Sequence, residues 1–169
     1  MRILGIDPGY AIVGFGLIES QRSDHRLVRY GTITTPADME FPQRLCVIYD
    51  DMNQLLDALQ PDVLAIEELF FGQNVTTGIG VSHGRGVILL AAAQRNIPVF
   101  EYTPMQVKQA VCGYGKADKH QVMDMTRRIL HMQEAAKPDD AADAIAIALC
   151  HGRSHTSLLS QQNLQTYRG

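Results

Sequence analysis

Residues 2–19 of the chain, RILGIDPGYAIVGFGLIE, largely determine its predicted fold. An apolar run ends at Asp7, a Pro-Gly pair follows, and a second apolar run begins shortly afterwards. This pattern predicts two strands joined by a turn, with an acid closing the first strand. Gly14 and Gly16 leave room on the second strand for another backbone segment to approach closely.

The remaining elements follow from hydrophobic periodicity, which alternates along strands and recurs every three or four residues along helices. Further strands are predicted at residues 27–34, 63–67 and 99–102, and helices at 42–59, 87–95, 104–112, 117–131 and 139–151. Residues 70–80 are rich in Gly, Thr and Asn and predict a mobile loop. This order predicts an α/β fold, a mixed five-stranded sheet with helices on both faces.

The size and composition of the chain indicate one compact domain. The 169 residues include 46% apolar and 20% charged residues, the balance of an ordinary globular protein. We assign residues 1–152 to the domain and 153–169 to a loose, polar C-terminal tail. No apolar run approaches the roughly 18 residues of a membrane span, and no signal-peptide layout is visible at the N-terminus. We therefore expect a cytoplasmic protein without a membrane segment.

Two acids close predicted strands that can be neighbours in the sheet. Asp7 follows Ile-Leu-Gly-Ile, and Glu67 follows Val-Leu-Ala-Ile. Functional residues of such sheets lie at the carboxyl ends of parallel strands. An ionised carboxylate at the rim of a core is costly unless it is paired or metal-bound. The alternatives are an Asx turn at Asp7 and a solvated loop acid at Glu67.

Asp140 and Asp143 are three residues apart near the start of the last predicted helix and therefore share one face. Acids are favoured in a first turn, which is a sufficient explanation for Asp139 but a poor one for Asp143. Asp143 lies in line with apolar residues, so we predict a buried charge that needs a cation shared with other carboxylates. Together with the two strand-end acids, the pair predicts an oxygen-ligand site for Mg²⁺. Zinc is disfavoured because no Cys pair has the spacing of zinc ligands.

Four motifs, in this order, carry a close resemblance to the RuvC family of bacterial Holliday junction resolvases. They are GIDPG (5–9), AIEELFF (65–71), QVKQAV (106–111) and DDAADAIAIA (139–148). The resemblance implies a ribonuclease-H-like fold and a homodimer that nicks opposed strands of four-way junction DNA symmetrically, in recombination and repair. It also implies two Mg²⁺ ions per subunit, with Mn²⁺ as a substitute, and a branch-migration motor of the RuvA and RuvB type as partner.

The resemblance places the family's catalytic and metal-binding acids on four positions that are intact in this chain. These are Asp7, Glu67, Asp140 and Asp143. Two metals about 4 Å apart would activate a water and stabilise the leaving 3′-oxygen of an in-line displacement.

Four further residues are candidates for contact with DNA. The net charge of −3 is unusual for a DNA-binding protein, but residues 105–128 have a local excess of bases. Lys108 and Lys119 lie in this stretch and match the family's lysines, although either could be a plain surface lysine. Phe70 matches a base-contacting aromatic of the family and could stack on an unpaired base. Arg85 is retained from a Gly-rich family segment and could bind phosphate.

Three other functions were weighed against junction cleavage. An actin-like or sugar-kinase-like ATPase shares the Gly-Ile-Asp-x-Gly turn, but it needs two such domains and a much longer chain. A ribosomal-RNA-processing nuclease of the same fold usually lacks this combination of motifs. A catalytically silent junction-binding protein would have lost an acid, and all four acids are present.

Overall fold

A computed structural model of the chain describes residues 1–69 and 75–166, with side chains described for residues 1–69 and 78–155. Its strands are β1 (Arg2–Asp7), β2 (Ile12–Gln21), β3 (Asp24–Thr34), β4 (Val63–Glu67) and β5 (Val99–Tyr102). Its helices are α1 (Phe41–Leu59), α2 (Val75–Gln94), α3 (Pro104–Cys112), α4 (Lys119–Ile129) and α5 (Asp139–Thr166).

The five strands form one mixed sheet in the order β3-β2-β1-β4-β5. The first three strands form an antiparallel meander, whereas β4 and β5 run parallel to β1. The predicted mixed five-stranded sheet is therefore confirmed. Because β1, β4 and β5 point the same way, their carboxyl ends meet at one edge of the sheet.

Helices cover both faces of the sheet, as predicted from the chain order. The alternating side chains of β1 separate the two layers, because Leu4 and Ile6 face α1 and α2 whereas Ile3 faces α3, α4 and α5. All three of these residues are fully buried. Helix α5 is the central helix of its layer, and every residue from Ala144 to Cys150 is buried.

Helix α5 lies directly on the sheet backbone because glycines of β1 and β2 leave space for it. A Cβ atom on Gly5 would lie 2.0 Å from the backbone oxygen of Ala144, and one on Gly14 would lie 2.0 Å from that of Asp140. A Cβ on Gly16 would lie 2.9 Å from the Cα of Ile145. The close approach predicted from Gly14 and Gly16 is thus present, and it sets the position of the first turn of α5.

The predicted mobile loop at residues 70–80 is wrong in its second half. Residues 75–80 belong to α2, which begins at Val75 rather than near residue 87; residues 70–74 lie outside the described residues. Glycines in the first half of α2 allow close packing instead. A Cβ on Gly80 would meet the ring of Tyr10 at 2.9 Å, and one on Gly84 would meet the backbone oxygen of Gly9 at 2.4 Å.

The last helix is longer than predicted. Helix α5 continues from Asp139 to Thr166, so the backbone of residues 153–166 is helical rather than a loose tail. The sequence from 153 to 166 contains neither Pro nor Gly, and nothing in it ends a helix once formed. The division into a domain at 1–152 and a tail at 153–169 remains a prediction. Among the described residues, no helix combines the length and apolarity that crossing a bilayer requires.

Candidate active site

Asp7 and Glu67 lie side by side at the carboxyl-terminal edge of the sheet. Asp7 is the last residue of β1, and Glu67 is the last residue of β4. The two strands are parallel, and Ile6 is registered with Ile66. Parallel register therefore places both carboxylates at the same edge, as predicted from the two strand ends.

Helix α5 brings the second pair of acids to this edge. Asp140 is in the first turn of α5, and Asp143 is three residues further along. Gly14 is the cross-strand partner of Asp7 and is also the residue whose missing side chain lets the backbone of Asp140 approach. One glycine thus fixes the distance between Asp7 and the first turn of α5.

The electrostatics of Asp7 depend on the other three acids. Burial, followed by the negative charges of Glu67, Asp143 and Asp140, raises the pKa of Asp7 from 3.8 to about 7. Burial and then the charge of Asp143 also raise the pKa of Glu67. Crowded carboxylates with raised pKa values are a feature of sites that bind cations or exchange protons.

Asp143 is less buried than the sequence predicted. We expected its side chain within the apolar stripe of α5, but 36% of that side chain is exposed. Burial is the largest cause of the raised pKa of Asp7. The difference arises because the stripe faces the sheet, whereas Asp143 is turned towards the amino-terminal end of α4.

Lys119 already pairs with the acids of α5. Its Nζ lies 3.0 Å from Oδ2 of Asp143 and 3.2 Å from Oδ2 of Asp139. The hydrogen bond to Asp143 is the main cause of the raised pKa of Lys119. A reciprocal capping box between Asp118 and Gln121 fixes the start of α4 and therefore the position of Lys119.

Lys108 and Lys119 flank a cleft that reaches the acids. The cleft has a volume of about 180 Å³, and its lining includes both lysines as well as Glu67 and Asp143. The structure therefore brings two of the four predicted DNA contacts to the candidate site. The local excess of bases is partly neutralised elsewhere, because Asp124 forms ion pairs with the two arginines at the end of α4.

The other two predicted DNA contacts are Phe70 and Arg85. Phe70 lies outside the described residues. Arg85 contacts protein groups: its Nη2 is 2.5 Å from Oε2 of Glu101, and its Nε donates to the carbonyl oxygen of Glu67 at 3.3 Å. Only 13% of its side chain is exposed.

The donor set suits a hard divalent cation, although the side chains are not arranged as a finished site. Four carboxylates supply oxygen ligands of the kind that Mg²⁺ prefers. Among the residues that the structure describes, however, no three acids, histidines or cysteines already form a metal-binding group. The elements β1, β4 and α5 fix where the acids lie, whereas carboxylate rotamers readily adjust to an ion.

Sequence reasoning missed two residues at this edge, Asp139 and Glu101. Asp139 was explained as a first-turn acid, but it shares Lys119 with Asp143. Glu101 pairs with Arg85, and its register partner on β4 is Ile66. One feature of the sequence could have indicated Glu101. It is a charged residue within a strand of four residues, β5, and the neighbouring strand β4 ends in the candidate ligand Glu67.

A mixed sheet of this order, with acids at the ends of β1 and β4 and on the helix that crosses β1, defines the ribonuclease-H-like class. The family model described as "Crossover junction endodeoxyribonuclease RuvC" matches residues 3–151. The chain belongs to this RuvC family.

Relatives and solved structures agree with this assignment. The chain is 54% identical to the crossover junction endodeoxyribonuclease RuvC of Desulfitobacterium hafniense, over 91% of this chain and 93% of that protein. It is 50% identical to the Ruminiclostridium cellulolyticum protein of that name, over 92% and 93%. The structure of Thermus thermophilus RuvC with a Holliday junction substrate matches with a TM-score of 0.88 at 35% identity, covering 93% of this chain and 96% of that one.

Proposed function

We propose that the chain is a metal-dependent endonuclease that resolves four-way (Holliday) DNA junctions by paired symmetric nicks, in recombination and repair. Membership of the RuvC family supports the choice of substrate. One observation carries the chemistry: Asp7 is half-buried and its pKa is raised by the charges of three other carboxylates, an arrangement that is costly without a cation. The neighbouring lysines supply positive charge for a phosphate backbone.

We assign Asp7, Glu67, Asp140 and Asp143 as the groups that hold two Mg²⁺ ions per subunit, with Mn²⁺ as a substitute. When bound, such ions activate a water and stabilise the leaving 3′-oxygen of an in-line displacement. Lys108 and Lys119, which flank the same cleft, would hold the phosphate beside the acids. A protonated carboxyl is a poor ligand, and the pKa of Asp7 is about 7. Metal binding should therefore weaken as the pH falls below 7.

The test compares substrates under matched conditions. Purified protein is incubated with a labelled four-way junction, a linear duplex of the same sequence and a hairpin RNA, each with Mg²⁺ or with chelator. Symmetric nicks confined to the junction and dependent on Mg²⁺ are expected. Trimming of the RNA, or equal cutting of the duplex, would contradict the proposal.

Replacing Lys119 by Ala should have opposite effects on metal and on DNA. The ammonium competes with a metal for Asp143, so its loss should strengthen Mn²⁺ binding by roughly two- to fivefold in calorimetry. Junction binding should weaken, and the slope of log K against log salt should become shallower by about 0.9. The loss of affinity should therefore shrink as salt rises.

Arg128→Ala is the matched control for Lys119, because Arg128 is a base on the same helix that pairs with Asp124. It should leave Mn²⁺ affinity unchanged. Weaker Mn²⁺ binding by Lys119→Ala would show that the ammonium assists the acids rather than competing for them.

We further propose a homodimer formed through α2. One face of α2 is buried in the core at Ile88 and Ala91, whereas its opposite face exposes Ile79 and Leu90 by 48% and 50%. A junction presents two equivalent strands, and a closed two-fold dimer can present one site to each of them. A cytoplasmic location and association with a branch-migration motor of the RuvA and RuvB type are proposed on the family resemblance alone.

Replacing Leu90 by Asp should disrupt the dimer without unfolding the protein. A charge on the exposed apolar face should weaken self-association by at least about tenfold, measured by analytical ultracentrifugation. Paired nicks should give way to single nicks. Val28→Asp is the control, because Val28 is also an exposed apolar residue but lies on β3. If the Leu90→Asp variant self-associated as strongly as the Val28→Asp variant, the dimer interface would not lie on α2.

A further inference from the structure

Arg85 spans three elements at the edge where the acids meet. Its Nε donates to the carbonyl oxygen of Glu67, the last residue of β4, and its Nη2 pairs with Glu101 of β5. Arg85 itself is a residue of α2. One side chain therefore ties the helix to the ends of two adjacent strands, beside a candidate metal ligand.

We propose that Arg85 is a positioning residue for Glu67 and does not contact DNA phosphate. The inference rests on the proposed function, because it concerns how Glu67 is presented to a metal. A planar guanidinium holds its partners in a fixed geometry, and the carbonyl it binds belongs to the residue whose carboxylate points to the site. Removing a group that orients a metal ligand commonly lowers the affinity for the metal by about 10- to 100-fold.

The environment of Arg85 argues against the phosphate contact that the family resemblance implied. Only 13% of its side chain is exposed. Reaching a phosphate would separate the guanidinium from Glu101 and remove a hydrogen bond from the carbonyl of Glu67. The carboxylate of Glu101 also offsets the charge that would attract DNA. Lys108 and Lys119, which line the open cleft, are better placed for that task.

Arg85→Ala separates the two roles through measurements that do not need cleavage. Positioning predicts Mn²⁺ affinity lower by about tenfold in calorimetry. It also predicts a salt slope of junction binding, measured in Ca²⁺, that equals that of wild type. A phosphate contact predicts unchanged Mn²⁺ affinity and a slope shallower by about 0.9. The second pattern would overturn the proposal.

Two conservative variants keep the test decisive if Arg85→Ala folds poorly. Arg85→Lys retains the positive charge but not the two-point contact, so it should fail to restore Mn²⁺ affinity. Glu101→Gln should weaken Mn²⁺ binding in the same direction, and its effect should not add to that of Arg85→Ala. Full rescue by Lys, or strictly additive losses, would contradict positioning by this pair.

Arg95→Ala is the matched control, because Arg95 directly follows the last residue of α2. Arg95 forms a two-point contact with Asp57, Nε to Oδ1 and Nη2 to Oδ2, each at 2.8 Å. Its loss can lower the melting temperature but should leave Mn²⁺ affinity and salt slope unchanged. Failure of the proposed function would look different: wild-type protein would then show no Mn²⁺ binding and no preference for the junction.

Discussion

Replacing Asp7 by Asn is expected to reduce junction cleavage by on the order of 10³-fold or more while junction binding stays close to that of wild type. Asn keeps the size of the side chain but removes its negative charge. Asp7 is the acid whose pKa is raised by the charges of the other three. Lysines at the cleft, which supply the attraction for DNA, are untouched. Single-turnover cleavage in Mg²⁺ and gel-shift binding in Ca²⁺ measure the two quantities separately. Cleavage at a near wild-type rate would remove Asp7 from the site.

The same substitution should stabilise the metal-free protein at high pH. The pKa of Asp7 is about 7 in the fold, against 3.8 as its ordinary value. Between these values the folded state binds more protons than the unfolded state, so wild-type stability falls as the pH rises from about 4 to about 7. Asn removes this cost. At pH 8 in chelator the variant should therefore have a melting temperature several degrees above that of wild type. Each kcal/mol gained in the free energy of unfolding raises the melting temperature by about 2–4 °C.

Asp57→Asn is the control for this gain. A hydrogen bond from Arg95 lowers the pKa of Asp57, so its charge is favourable in the fold and its removal should raise the melting temperature at no pH. Near pH 4 the advantage of Asp7→Asn should vanish. An advantage that persists unchanged at pH 4 would mean that it does not come from the ionisation of Asp7.

Gly14→Ala is expected to damage both the fold and the site. Its Cβ would lie 2.0 Å from the backbone oxygen of Asp140, a contact that no side-chain adjustment can relieve. Helix α5 would have to move away from β2, at a cost of about 1–3 kcal/mol or more. Because that movement carries Asp140 and Asp143 away from Asp7, cleavage should fall by at least about 100-fold. Thermal melting and cleavage rates test the two effects.

Gly115→Ala controls for the loss of a glycine as such. Its Cβ would meet Cγ of Met105, whose side chain is flexible and 69% exposed and can move aside. This variant should melt and cut nearly as wild type does. If Gly14→Ala behaved as Gly115→Ala does, the distance between α5 and β2 would not determine the geometry of the site.

The sequence was sufficient where a local pattern and the final environment agree. Apolar runs that end in an acid predicted β1 and β4 with correct bounds, and chain order alone predicted a mixed sheet with two helical layers. The position of Asp7 and Glu67 at one edge of the sheet followed from parallel strand ends, and the shared helix face of Asp140 and Asp143 followed from helical spacing. Gly14 and Gly16 correctly indicated close backbone approach, although not which element approaches.

The sequence failed where a residue's role depends on a partner distant in the chain. Gly80 of α2 helped to suggest a loop because the ring of Tyr10, against which it packs, cannot be inferred locally. Arg85 and Lys119 were predicted to contact DNA, and nothing in the sequence indicated that they also pair with Glu101 and Asp143. Asp143 was expected to be buried because helical periodicity shows which residues share a face of α5. It does not show that Asp143 is turned towards the amino-terminal end of α4.

Diffraction from crystals grown with Mn²⁺ would locate the metal without relying on activity. Two anomalous peaks about 4 Å apart, bounded by the carboxylates of Asp7, Glu67, Asp140 and Asp143, are expected. Lys119 should then have left Asp143, its partner in the structure described above. Mn²⁺ bound at other residues, with the Lys119–Asp143 pair intact, would contradict the assignment of these four acids as the metal site.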